Sequence, residues 1–329
     1  MIHYTSPVHQ IARFLILLVS LGFSGAALVS CRGGGSPDGD KPLVVATTTM
    51  AADLARVIGG DRIEVRGLMG ADVDPHSYIP RIGDSRLLEQ ADLVVYNGLH
   101  LEGRFQGTLE DMAGRGHRVV ALAESLESEK LLGAAEDFPG AKDPHVWGDP
   151  MLWSGVIDPL VAALCEIDPE GADGFRERGD VYRREIEALD AWARETLAAI
   201  PREHRVLVTS HDAFHYFGRA YDLQVRGLQG ISTASEAGLK DRAELVDFLR
   251  TTGIPAVFPE STLNEKGIAT VATEAGVKLA ADSLYSDALG KPGDTFEING
   301  TLHDRGTYLG MIRHNVSTVA RYLTGTRAH

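Results

Sequence analysis

Cysteine is nearly absent: the 329-residue chain has two, Cys31 and Cys165. If Cys31 is otherwise used, no disulfide partner remains, and a cystine framework is excluded as the basis of the fold. Basic residues are also scarce, with 32 Lys and Arg against 46 Asp and Glu and a formal net charge of −14. Such a surface repels phosphate backbones, so no nucleic-acid partner is expected. No H-E-x-x-H occurs, and no G-x-G-x-x-G follows the first expected strand. That argues against a zincin-type hydrolase and against dinucleotide binding. What remains is 44% hydrophobic and 24% charged residues, an ordinary globular composition long enough for two domains.

The first thirty residues hold no acidic residue and one basic residue, Arg13. Phe14–Ser30 is an apolar run, short for a membrane span and placed where a signal peptide belongs. It ends Leu28-Val29-Ser30-Cys31, similar to a bacterial lipobox, in which cleavage precedes the cysteine and the thiol is lipidated. Residues 1–30 therefore read as a lipoprotein signal peptide. Residues 31–42, CRGGGSPDGDKP, read as a flexible tether. Cys165 falls in an amphipathic segment as a small core residue.

From Leu43 short apolar strands alternate with helical segments, which implies βαβ units and parallel sheets. Strands are expected at 43–46, 63–68, 92–96 and 118–122, and again at 206–209, 223–228, 256–258 and 277–280. Between the two series lies Glu170–Ile200, free of proline. Its Phe175, Tyr182, Ile186, Leu189, Trp192, Leu197 and Ile200 recur at near-helical spacing. The reading is an α/β fold of two Rossmann-like βα lobes, 43–168 and 201–329, joined by one long rigid helix over 169–200. Single helices are expected over 150–165 and 212–221. Ligands of such folds sit at the carboxyl ends of the strands, here in the cleft between lobes.

Two short stretches stand out, Asp74-Pro75-His76-Ser77-Tyr78 and Asp143-Pro144-His145-Val146-Trp147. Proline fixes φ and holds its predecessor out of the helical region, so each histidine has a defined place on a loop. An Asp-Pro turn with a surface histidine reads the same way in isolation. His211 follows a strand directly, in Val208-Thr209-Ser210-His211, and Asp287 follows another, in Leu284-Tyr285-Ser286-Asp287. Three imidazoles and one carboxylate suit a borderline divalent transition metal. His215 is spaced i,i+4 from His211, His100 lies on a strand-end loop, and Asp282 competes with Asp287. Glu260 is expected as a supporting partner of a ligand.

Together with Ala46–Met50 (ATTTM), Tyr96–Gly103 (YNGLHLEG), Ser210–Phe217 (SHDAFHYF), Gly227–Gly238 (GLQGISTASEAG) and Leu284–Gly290 (LYSDALG), these stretches resemble the metal-binding solute receptors of ABC importers, the cluster A-I or TroA/ZnuA-like family. The resemblance covers nearly the whole chain after the tether. It implies a metal between two lobes, held by His76, His145, His211 and Asp287. It also implies an extracytoplasmic lipoprotein, anchored through Cys31, that binds Mn²⁺ or Zn²⁺, with Fe²⁺ a third candidate, and serves an ABC permease and its ATPase. A monomer without enzymatic activity is expected. The alternatives are an extracytoplasmic zinc hydrolase, with Glu260 as its base, and a surface adhesin. Relatives usually carry glycine where this chain has His215. Because imidazoles must be neutral to bind, affinity is expected to fall below about pH 6.5.

Overall fold

The computed structural model describes residues 41–134 and 140–324; the expected signal peptide, Cys31 and all but the last two residues of the expected tether lie outside them. The first lobe starts with a short β-branched strand, β1 (Leu43–Ala46), followed by α1 (Thr49–Gly59). Thr48 stops the strand and caps the helix, its hydroxyl accepting from the Ala51 N–H at 3.2 Å. That side chain satisfies one of the donors a helix start leaves free. Strands β2 (Glu64–Gly67), β3 (Leu93–Tyr96) and β4 (Val119–Ala121) complete a parallel sheet of order β2-β1-β3-β4. Helices α2 (Ile82–Gln90) and α3 (Gln106–Gly114) supply crossovers.

A segment expected as one helix, 150–165, is broken into α4 (Pro150–Trp153), a 3-10 turn at Ser154–Val156 and α5 (Ile157–Ile167). Pro159 is the reason: it has no N–H to bond Gly155 and its ring would strike that carbonyl, so the helix restarts with the proline in a first turn. Then α6 runs unbroken over Ala172–Ala198, 27 residues, about 40 Å at helical rise. It buries Phe175, Tyr182, Ile186, Leu189, Ala193 and Leu197 along one face. The Arg62–Asp168 ion pair, 2.5 Å, ties the turn before it to the first lobe.

The second lobe repeats the first. Strands β5 (Val206–His211) and β6 (Gln224–Gln229) pair in parallel around α7 (His215–Tyr221), and β7 (Ala256–Val257) pairs with β8 (Lys278–Leu279). The Phe258 N–H donates to the Val208 carbonyl at 2.8 Å. The resulting sequence β6-β5-β7-β8 has the same connectivity as the first sheet. Helices α8 (Leu239–Thr252) and α9 (Lys266–Ala275) are its crossovers. A hairpin that the sequence reading did not assign follows, β9 (Thr295–Ile298) and β10 (Thr301–Asp304). Its turn is Asn299-Gly300, both at positive φ, the pair that a two-residue hairpin turn favours. The last helix, α10 (Tyr308–Leu323), is capped by Thr307 and packs on α6.

Candidate metal centre

Each of the four side chains singled out leaves the carboxyl end of a strand. His76 lies beyond β2, His145 beyond β4, His211 is the final residue of β5, and Asp287 lies beyond β8. One donor atom from each falls within 4.8 Å of all the others. His76 Nε2 is 3.2 Å from His145 Nε2, while the Asp287 oxygens stand 3.3 Å from His145 Nε2 and 3.2 Å from His211 Nε2. His145, His211 and Asp287 are fully enclosed, and His76 keeps part of its surface accessible.

The two Asp-Pro-His stretches owe their likeness to one local device. In each, the aspartate Oδ1 accepts the backbone N–H of the histidine two residues on, at 2.9 Å from His76 and 3.0 Å from His145. This is an Asx turn, stiffened by the intervening proline. The copies then diverge. Asp143 also reaches His145 Nδ1 at 2.7 Å. Asp74 instead accepts the Ser77 hydroxyl, at 2.9 Å, and across the cleft the Thr233 hydroxyl, at 2.6 Å.

His211 has an equivalent support. Glu260 takes its backbone N–H at 2.8 Å and stands 2.6 Å from its Nδ1. A carboxylate at Nδ1 fixes the ring and turns Nε2 toward the centre. Neither oxygen of Asp287 makes a hydrogen bond, although both are buried. A buried carboxylate is costly unless something cationic meets it, and the nearest groups to Asp287 are the Nε2 atoms of His145 and His211. The Asp287 oxygens and His211 Nε2 crowd one another without hydrogen-bond partners, which a bound cation would satisfy. A set of three imidazoles and one carboxylate matches a borderline divalent metal.

The charges of the ion-free cluster follow from this arrangement. Burial pushes the His145 imidazole down, but Asp143 and Asp287 outweigh it and raise it to about 9. Burial acts likewise on His211, and Glu260 with Asp287 holds it well above its ordinary value. Asp287 is held well below the usual carboxylate range, burial being overcome by His211 and His145. For His76 burial dominates and lowers it to about 4.

The remaining candidates lie elsewhere. His211 and His215 do not share a helix face: β5 continues through His211, paired with Gln229, and α7 begins only at His215. Asp212 holds the chain to the sheet there, accepting the Gly227 N–H. His215 stands behind the cluster, its Nδ1 3.5 Å from Asp143 Oδ2. His100 is exposed, at positive φ, with its N–H on Gln106. Asp282 pairs with Arg321 at the surface.

The sequence reading assigned no supporting role to Asp143 or Trp147. Asp143 is legible in retrospect from its position two residues before the histidine. The Trp147 indole N–H donates to the Ser286 carbonyl at 2.7 Å, and its own carbonyl accepts the Tyr308 hydroxyl at 2.8 Å. It thus ties the loop of His145 to the loop of Asp287. Behind the same loops, buried Glu102 accepts from the Thr47 hydroxyl and the Asn97 and Gly98 N–H groups.

Gly103 shows how tightly the His76 loop is seated. It has φ +50, and a Cβ there would lie 2.7 Å from the His76 carbonyl oxygen. Gly103→Ala therefore displaces the backbone of His76. We expect metal affinity to fall about tenfold or more, the range seen when support of a metal site is lost. Competition titration against a chromophoric chelator measures it, and unchanged affinity would refute the coupling.

A family model described as ZnuA, zinc-uptake complex component A, periplasmic, matches residues 44–322. The chain belongs to this family. Among ZnuA relatives, the manganese-binding lipoprotein MntA of Bacillus subtilis is 41% identical over 313 residues, 93% of this chain and 98% of that protein. The zinc-binding protein TroA of Treponema pallidum is 39% identical over 288 residues, 86% of this chain and 89% of TroA. The solved structure of periplasmic TroA superposes with a TM-score of 0.79 at 39% identity, covering 86% of this chain and 99% of that one. Fe(III)-bound YtgA of Chlamydia trachomatis gives 0.75 at 29% identity, covering 88% and 100%. These matches establish the two-lobed α/β fold with its long helix.

Proposed function

We propose that this ZnuA-family chain is the solute-binding component of an ABC importer, capturing one Mn²⁺ or Zn²⁺ ion outside the cytoplasm for a permease and its ATPase. The observation that carries this reading is the convergence of His76, His145, His211 and Asp287 within 4.8 Å. We assign these four as the ligands. Residues 43–168 and 201–329 act as the lobes that contribute two ligands each, and residues 169–200 connect them. The chain acts as a monomer, and Cys31 carries the lipid that holds it at the membrane.

The site is suited to carriage rather than chemistry. Hydrolysis needs an open coordination position and a general base. Here a fourth protein ligand closes the set, and Glu260 is already engaged with His211 through both oxygens. The relatives named above are described as binding manganese, zinc or iron(III). Equal ligands favour Zn²⁺ over Mn²⁺, so the ion held most tightly in a tube need not be the one transported.

Elemental mass spectrometry on soluble protein beginning after Cys31 tests the reading, with wild type beside His145→Ala. We expect one ion per wild-type chain and substoichiometric metal in the variant. Wild-type protein that retains no ion after incubation with Zn²⁺ or Mn²⁺ would overturn it.

A further inference from the structure

Two loops leave the edge strands of the two sheets and meet across the cleft. In the first lobe β2 is an edge of β2-β1-β3-β4, and residues 68–81 follow it to α2. In the second lobe β6 is an edge of β6-β5-β7-β8, and residues 230–238 follow it to α8. The repeated connectivity puts both loops at carboxyl ends of strands, where such folds gather what they bind. The first loop carries His76. The second carries none of the four ligands, but its Thr233 hydroxyl donates to Asp74 Oδ2 at 2.6 Å. The other oxygen of that carboxylate accepts the His76 N–H at 2.9 Å. One aspartate therefore joins the backbone of a ligand to the opposite lobe.

His76 needs such a tie more than the other two histidines. Asp143 braces the His145 ring at Nδ1, and Glu260 braces that of His211. Asp74 is committed to the His76 N–H and to the Ser77 and Thr233 hydroxyls, so it does not brace the His76 ring. His76 is also the ligand that keeps part of its surface accessible. From behind, Gly103 lies against its carbonyl. In front, His76 itself aside, two polar contacts among the described residues hold 70–78 to the second lobe: the Thr233 hydrogen bond and a Lys291–Asp72 ion pair at 3.2 Å. The ion pair joins side chains that are 71% and 73% exposed, where water and salt screen it. The Thr233 bond is short, partly buried and has an ionised acceptor, which makes it the stronger of the two.

Resting on the metal-carrier reading above, we propose that Thr233 is a positioning residue of the metal site. Its hydroxyl latches the His76 loop over the bound ion, and breaking that one hydrogen bond is the step that lets His76 leave. A hydrogen bond to a charged group shifts an equilibrium by about tenfold or more. The latch forms only after the loops have met over the ion, so its loss speeds release and leaves capture unaltered.

The test is stopped-flow release of Zn²⁺ from the full chain in mild detergent into excess chromophoric chelator, with zinc content measured beforehand. Thr233→Val keeps the shape and loses the hydroxyl. We expect it to release zinc at least fivefold faster, with the rate of capture changed less than twofold and circular dichroism unchanged. Thr233→Ala, which also lacks the hydroxyl, should match it. Thr233→Ser keeps the hydroxyl and should release zinc within twofold of the wild-type rate, a rescue that simple packing of the threonine methyl would not give. Release accelerated less than fivefold in both Val and Ala variants, serine as fast as valine, or capture slowed in step with faster release would overturn the latch. Wild-type protein that holds no zinc would instead overturn the metal-carrier reading, and the latch with it.

Discussion

Asp287→Asn is expected to lower divalent-metal affinity by more than about a hundredfold, beyond the 10–100-fold typical of losing a group that merely supports a ligand. Asp287 is the one anionic donor of the cluster, fully buried and free of hydrogen bonds from the protein. It stands within 3.3 Å of the Nε2 atoms of both His145 and His211. An amide of the same shape offers a weaker oxygen and places an N–H₂ where the ion must sit. The substitution also removes a negative charge that favours protons on both imidazoles, which softens proton competition and offsets a small part of the loss. Chelator-competition titration of metal-stripped protein reads the effect, with circular dichroism to confirm the fold. Affinity within threefold of wild type would exclude Asp287 as a ligand.

Binding near pH 7 is expected to release close to two protons per ion. In the ion-free protein His145 titrates at about 9 and His211 well above its ordinary value, so both imidazoles hold a proton at neutrality. His76, lowered to about 4, is already neutral. Metal requires all three unprotonated. The protonated form belongs to the empty state, so affinity climbs with pH until pH passes the higher values. Two displaced protons correspond to about a hundredfold gain per pH unit around neutrality. Calorimetry in buffers of different ionisation enthalpy counts them. The expectation from histidine chemistry alone was a loss confined to below about pH 6.5. The buried carboxylates Asp143, Glu260 and Asp287 move the dependence upward. Release of fewer than half a proton would contradict this electrostatic picture.

The four convergent residues were legible because each carries a local mark: a proline-stiffened loop for His76 and His145, and a place directly after a strand for His211 and Asp287. The alternation of strands and helices made the α/β class legible for the same reason, since periodicity is local. What stayed hidden depends on contacts distant in sequence. Nothing near Trp147 announces that its indole meets Ser286, and nothing near Thr233 announces Asp74. Two further features carry local marks of their own. Pro159 breaks the helix expected over 150–165, and Asn299-Gly300 forms the turn of a hairpin.

The long helix α6 also shapes how the molecule comes apart. Its buried face belongs to one continuous apolar cluster that includes Val44 and Leu54 of the first lobe and Val208, Phe258 and Val316 of the second. The Tyr308 N–H, at the start of α10, donates to Asp53 of α1 at 2.9 Å. Melting one lobe would expose the other lobe's half of that interior to water. Heat should therefore unfold residues 41–324 in a single calorimetric transition. Because a ligand that binds only the native state stabilises everything that unfolds with its site, a metal ion held by four side chains should raise the melting temperature of the whole chain, including the hairpin β9–β10 that never touches it.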